Sequence, residues 1–245
     1  LLAPIFARSG SALFRTTQFR YHLLRNAMHF VGVAGWFYAI SHINLSTGMA
    51  LQFTVPLFTI VLAIFILGEK VDAARWVATA IGFAGVLVIL RPGIEPITLA
   101  AIAALVSAIG YAGANIATKV LMRQCSSDTV VFYMNVMHLP MALALAWALG
   151  GIGIPVLPDI PWLVALAAFA TLAHWLLAKA LGEADASLII LVDFTKLPWV
   201  TLGAFVFFAE TPVLWAWIGG AGIFASPLYI VRREARAART RRDAD

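Results

Sequence analysis

The sequence predicts an all-α polytopic membrane protein, and three observations carry that reading. Hydrophobic residues make up 62% of the 245 residues and charged residues only 12%, against about 25% charged in a soluble domain. Mean hydropathy is +0.91, and the apolar runs recur at about the 20-residue length that crosses a bilayer as a helix. The third observation is an internal duplication. Ser46 and Ser187 stand 141 positions apart, and the same shift pairs Phe53-Thr54 with Phe194-Thr195, Glu69 with Glu210, Trp76 with Trp217 and Arg91 with Arg232. Pro56 meets Pro198 with a one-residue slip. Repeats of this kind constrain the fold before any single element does.

Taken in order, the chain alternates apolar spans with short polar links. Leu1-Leu2-Ala3-Pro4-Ile5-Phe6 reads as the end of a membrane helix, so a further N-terminal piece is expected. Residues 7–25 carry Arg8, Arg15, Arg20 and Arg25 and read as a basic loop. Residues 26–41 form a span rich in Gly and aromatics, a composition that lets helices pack closely in lipid. The span 46–67 holds Gln52 and Pro56 and ends at Gly68-Glu69-Lys70. The span 75–90 stops at Arg91-Pro92-Gly93, because Pro cannot continue a helix and Gly suits its end. In the span 97–122, Ser107, Tyr111, Asn115 and Lys119 recur every four residues and so share one helical stripe. Spans at 129–149 and 162–181 follow, separated by a Gly- and Pro-rich loop. Residues 187–208 repeat the element that begins at 46, 213–231 form the last span, and 232–245 are an Arg-rich tail.

That makes about eight spans of bilayer length. Lys and Arg concentrate in the links on one side, which the positive-inside rule makes cytoplasmic, with both ends of the chain there. The two copies of the duplicated element then run in opposite directions. Inverted repeats are a transporter architecture, with the substrate site near the midplane. The charge distribution is thus a topology signal, and nucleic acid is not an expected partner. Cys125 is the single cysteine, too few for a disulfide framework or a metal cluster. No metalloprotease His-Glu-x-x-His, nucleophile elbow, phosphate loop or dinucleotide glycine motif is present. An enzyme is therefore not expected, nor any cofactor or metal, and transport would be driven by a gradient.

Leu24-Arg25-Asn26, Trp36-Phe37-Tyr38-Ala39, Pro56-Leu57-Phe58, Leu67-Gly68-Glu69-Lys70 and the glycine-spaced run from Ile81 to Gly93 resemble the EamA-type drug/metabolite transporters. The second half resembles that family's second repeat more loosely, with Thr211-Pro212 after Glu210. The resemblance implies about ten helices in two inverted repeats around a central cavity. Residues 1–93 would be the later part of the first EamA-like repeat, 97–231 the second repeat, and 232–245 a cytoplasmic tail. The expected function is secondary active transport, inward or outward, of a small metabolite across a bacterial inner membrane by alternating access. The alternatives are an integral-membrane enzyme on lipid-linked substrates and a non-transporting membrane subunit. Expected partners are a small-molecule metabolite and membrane lipids, with a homodimer as the assembly allowed for.

Ionisable side chains inside the membrane are functional candidates, since an unpaired charge there is expensive. Asp193 and Lys196 meet that condition three residues apart, and Asp193 falls in register with Gln52. The other candidate contacts for substrate are His29, Trp36, Tyr111, Asn115, His174 and Trp175. Histidine titrates near neutral pH, aromatics can stack on a flat solute, and Tyr111 and Asn115 share the polar stripe. The structural reading of each is also open: an ion pair for Asp193 and Lys196, packing for His29, His174, Trp36 and Trp175, and hydrogen bonding between helices for Tyr111 and Asn115. Pro56 and Pro198 free backbone carbonyls in mid-membrane and are candidate hinges. Glu69 and Glu210, at helix ends, are candidate gating residues.

Overall fold

A computed structural model describes residues 10, 13, 16–43, 45–90, 98–151, 153, 155–192, 199, 202, 203 and 206. Among them every regular element is helical. The helices are α1 (Phe19–Ile40), α2 (Leu45–Gln52), α3 (Val55–Leu62), α4 (Ala73–Leu90), α5 (Leu99–Leu121), α6 (Ser127–Ala148), α7 (Ile160–Glu183) and α8 (Ala186–Val192). Helices stand where spans were expected at 26–41, 75–90, 97–122, 129–149 and 162–181, the first of them beginning earlier, at Phe19. Of the second copy of the duplicated element, α8 and residues 199, 202, 203 and 206 are described, so Asp193, Lys196, Pro198, Glu210, the last span and the tail lie outside the described residues.

Residues 19–25 correct the sequence reading. They are not a basic loop but the first two turns of α1. The reason lies in their spacing. His22, Arg25, Asn26 and His29 fall at i, i+3, i+4 and i+7 and are all buried, while Phe19, Tyr21, Leu23, Leu24, Val31 and Phe37 are exposed. α1 is a helix with its polar stripe inward and its apolar side outward, the reverse of a helix on a water-soluble protein.

The span expected at 46–67 is broken. α2 stops at Gln52, a turn follows at 53–54, and α3 restarts with Pro56 in its first turn. Proline has no N–H to donate, and its ring crowds the carbonyl of the residue four before it, which is Gln52. Beyond α3 the backbone widens into a π-helical turn, Ala63–Leu67, which Gly68 closes in the left-handed region at φ +68°. Such π turns often mark functional sites.

The chain divides into two compact units, each with its own contacts. One comprises Leu1–Phe30 and Ala114–Ala184. Here α6 starts behind the Ser126 cap, whose Oγ accepts from the Thr129 N–H at 3.2 Å. Val130 and Leu121 pack with Ala178, while Val131, Phe132 and Met134 pack with Leu13. Lys119 Nζ donates to the Ala184 carbonyl at 2.7 Å, placing a cation on the carbonyl end of α7. The other unit comprises Val31–Gly113 and Asp185–Asp245. Its core joins Val55, Ala108, Ala112 and Ile190, with Phe58, Leu62 and Tyr111 against them. Gly35 permits the close approach of α1 to α5: a Cβ there would stand 2.8 Å from the Ala103 carbonyl oxygen.

Leu99–Leu121, Ser127–Ala148 and Leu157–Glu183 are long and apolar enough to cross a membrane. Trp147, at the end of α6, and Trp162, at the start of α7, are 85% and 78% exposed. Paired aromatics at neighbouring helix ends suit the membrane–water interface.

Candidate functional site

The buried polar groups form two arrangements, one within each unit. In the unit formed by Val31–Gly113 and Asp185–Asp245, Gln52 Nε2 donates to Ser107 Oγ at 2.7 Å. Ser107, fully buried, donates in turn to the Gly32 carbonyl at 2.6 Å. Gln52 is the last residue of α2, just before the break that Pro56 imposes, so its side chain projects from a helix end rather than a helix side. Its carbonyl oxygen remains for another donor. Tyr111 lies one turn along α5 from Ser107 and rests on Gly32, where an added Cβ would stand 3.2 Å from its ring. Trp36 packs over Gly48, where an added Cβ would stand 3.3 Å from its ring. Two expected contacts, Gln52 and Tyr111, thus converge with Ser107, while Trp36 fills a helix–helix contact.

The same unit holds Glu69. One carboxylate oxygen accepts the Ala186 N–H at 2.8 Å, and the other accepts the Ser187 N–H at 3.1 Å and the Ser187 hydroxyl at 2.7 Å. A carboxylate at the exposed N–H groups of a helix start satisfies donors that have no partner within the helix. Arg75 Nη1 adds bonds to Ser187 Oγ at 2.8 Å and Asp185 Oδ2 at 3.1 Å. Glu69 is therefore a clasp between the end of one copy of the duplicated element and the start of the other.

In the unit formed by Leu1–Phe30 and Ala114–Ala184, three imidazoles from three helices meet. His29 stands 4.9 Å from His138 and 4.6 Å from His174 between ring centroids. Phe30 closes on His138 edge to face. Two of the three were expected site residues; His138 was not singled out from sequence. One turn earlier along α1, Arg25 and Asn26 are buried beside Thr118, Tyr133 and Met137. His22 stacks on Tyr133 at 4.4 Å. Trp175, also expected to face substrate, donates its indole N–H to Asp128 Oδ1 at 2.7 Å and carries Lys179 above its ring. Asn115 is half-buried on α5. Among the described residues no group of three or more His, Cys, Asp or Glu is arranged to hold a metal ion.

Sequence reasoning missed His22, Arg25, Asn26 and His138 as inward-facing groups. The signal for the first three was their i, i+3, i+4 spacing with His29. It was masked by treating each Arg outside the obvious apolar runs as a topology marker. His138 offered no such signal, since its partner lies 109 positions away.

Comparison with known proteins agrees with this architecture. The profile of the EamA-like transporter family matches residues 1–91 and 98–232. A riboflavin transporter of Brucella anthropi is 32% identical, the match covering 98% of this chain and 86% of that protein. An S-adenosylmethionine uptake transporter of Rickettsia bellii is 27% identical, covering 97% of this chain and 80% of that one. A crystal structure superposes with a TM-score of 0.73 at 17% identity, over 96% of this chain and 84% of that chain, a likeness of fold.

Proposed function

The chain belongs to the EamA-like transporter family and is an integral-membrane transporter of small metabolites rather than an enzyme; on that premise we propose a gradient-driven carrier of a flat, heteroaromatic metabolite working by alternating access. The observation that carries the proposal is α1, with its buried polar stripe His22, Arg25, Asn26 and His29 and its apolar side exposed. Buried polar and charged groups are costly unless they hydrogen-bond or serve a path for polar cargo. Two of the relatives carry names that specify riboflavin and S-adenosylmethionine, both with fused nitrogen rings, and this favours the heteroaromatic class.

In this reading residues 1–93 are the later part of the first repeat and 97–231 the second, both ends are cytoplasmic, and the membrane is a bacterial inner membrane. The candidate solute contacts are Gln52, Tyr111 and Trp36 in one unit and the His29 cluster, Asn115 and Trp175 in the other. The 141-residue register pairs Asp193 with Gln52, and Lys196 stands three residues further on. Pro56 and Pro198 are hinges. Glu69 and Glu210 hold the opposite ends closed in turn. Membrane lipids cover the apolar sides of α6 and α7, where two copies of the chain would also meet.

Uptake of labelled riboflavin and S-adenosylmethionine into cells producing the chain tests the proposal. Uptake above the empty-vector level that a protonophore abolishes is the expected result. Uptake unaffected by collapsing the gradients would contradict a gradient-driven carrier.

A further inference from the structure

Arg25 is a cation placed among neutral groups. It is 3% exposed and lies in the second turn of α1. Its Nε donates to Thr118 Oγ1 at 3.3 Å and its Nη1 to Asn26 Oδ1 at 2.9 Å. Both acceptors are uncharged. The Thr118 hydroxyl is itself spent on the Ala114 carbonyl at 2.8 Å, so it turns a lone pair toward the guanidinium. Asn26 is fixed from behind, its Nδ2 donating to the Tyr133 carbonyl at 3.4 Å and contacting Met137 Sδ at 3.2 Å. The fork of Arg25 is therefore positioned by α5 and α6, and its remaining N–H groups are left over.

The titratable groups on which its charge bears are His22 and His29 of α1 and His138 of α6, with His174 of α7 against His29. None is an anion. Asp128 of the same unit is engaged with the Trp175 indole. Among the described residues the ion pair present is Arg75–Asp185, in the other unit, and no carboxylate pairs with Arg25. A buried cation without a counter-charge is strongly unfavourable in a folded protein. Arg is also the side chain whose planar fork best matches an oxyanion. Among the described residues the groups that face Arg25 are uncharged acceptors and imidazoles, the Thr118 hydroxyl, the Asn26 amide and the rings of His29 and His138, and no carboxylate is among them.

From this arrangement we infer that Arg25 is a binding site for negative charge during transport, filled by an oxyanion group of the solute or by an inorganic anion that travels with it. The inference rests on the transport reading and assigns that path its sign of charge. The counter-charge arrives with the cargo and leaves with it.

The test is direct binding to the purified full chain in detergent, read by quenching of tryptophan fluorescence and by thermal stabilisation. The probes are riboflavin against riboflavin 5′-phosphate, and S-adenosylmethionine against its decarboxylated form. Each pair differs by one acidic group. Each probe is measured in chloride, in phosphate and in gluconate. If the solute brings the charge, the acidic member binds on the order of tenfold more tightly, the usual worth of a charge-assisted hydrogen bond, and Arg25→Gln erases the gap. If an inorganic anion brings it, riboflavin binds about tenfold better in chloride or phosphate than in gluconate by the same reasoning, and Arg25→Gln erases that dependence instead. Arg25→Lys keeps the charge and loses the fork, so it retains part of either preference and serves if Arg25→Gln does not fold. Equal affinity within each pair together with indifference to the anion, measured on the unaltered chain, overturns the inference. So does a preference that Arg25→Gln leaves intact. Binding without flux in any assay would instead overturn the transport reading and leave the anion site standing.

Discussion

Glu69 holds Ser187 by both its N–H and its hydroxyl, at 3.1 and 2.7 Å through one carboxylate oxygen. The other oxygen takes the Ala186 N–H at 2.8 Å. One side chain thus satisfies the first donors of α8 from a distance of more than a hundred residues in sequence, and Gly68 makes it possible by turning the chain at φ +68° just before it. Ser187→Ala should lower stability by about 1 kcal/mol and Glu69→Ala by about 2 kcal/mol, the range for losing a helix cap. Because both act on one contact, the double variant should cost less than the sum of the two. Unfolding in detergent with increasing denaturant measures all three; additive losses would show that Glu69 and Ser187 act independently.

Gly35 and Gly68 should respond to Ala for different reasons. At Gly35 a Cβ meets the Ala103 carbonyl oxygen at 2.8 Å, so α1 and α5 must separate. Overpacking of this kind costs about 1–3 kcal/mol. At Gly68 the space is open and only the positive φ opposes a side chain, for about 1 kcal/mol. Gly68→Asn, which tolerates that backbone region, should recover most of the loss, whereas Gly35→Ser should not. Melting temperatures of the four variants decide it.

Gln52, Ser107 and the Gly32 carbonyl form one chain of hydrogen bonds. Ser107→Ala leaves the Gln52 amide without its acceptor and the Gly32 carbonyl without its extra donor. A loss of about 1–2 kcal/mol in stability is expected. Transport should show KM raised several-fold in Ser107→Ala, because Gln52 is then free to turn. Kinetics in vesicles, with protein amount normalised, would reveal it; unchanged KM would place Gln52 outside the substrate path.

His138 should behave as a partner of His29 although sequence gave no sign of it. The His138 ring stands 4.9 Å from that of His29, and His138→Phe puts a slightly larger, all-carbon ring in its place. The expected result is a protein that folds normally and transports at least several-fold more slowly. Full activity in His138→Phe would mean that the imidazoles pack rather than handle solute.

How much of this was legible in the sequence varies with the residue. The break after Gln52 could be read from Pro56 alone, because ring closure and the missing N–H act on the local backbone. The duplication was legible because Glu69 and Trp76 recur at one shift, and neither is common in an apolar chain. The clasp itself was not, since a Glu at a helix end looks the same whether it faces water or another helix. Arg25 was misread for a related reason. Composition cannot tell a cation in a cytoplasmic loop from one buried two turns into a helix; only its phase relative to His22 and His29 could have done so. The meeting of His29, His138 and His174 is a product of how three helices pack and has no local signature. Asp193 and Lys196, the strongest candidates from sequence, lie outside the described residues; the place of Asp193 rests on its register with Gln52, and that of Lys196 on its spacing of three from Asp193.

The central claim is that this chain carries a small heteroaromatic metabolite past Gln52, and counterflow in proteoliposomes tests it most directly. Vesicles loaded with unlabelled riboflavin or S-adenosylmethionine, and diluted into a trace of the labelled compound, should show transient label accumulation with one of the two. Gln52→Leu, folded to the same melting temperature, should reduce that accumulation at least several-fold. Vesicles that take up neither label, or a Gln52→Leu protein that performs as well as the original, would contradict the account.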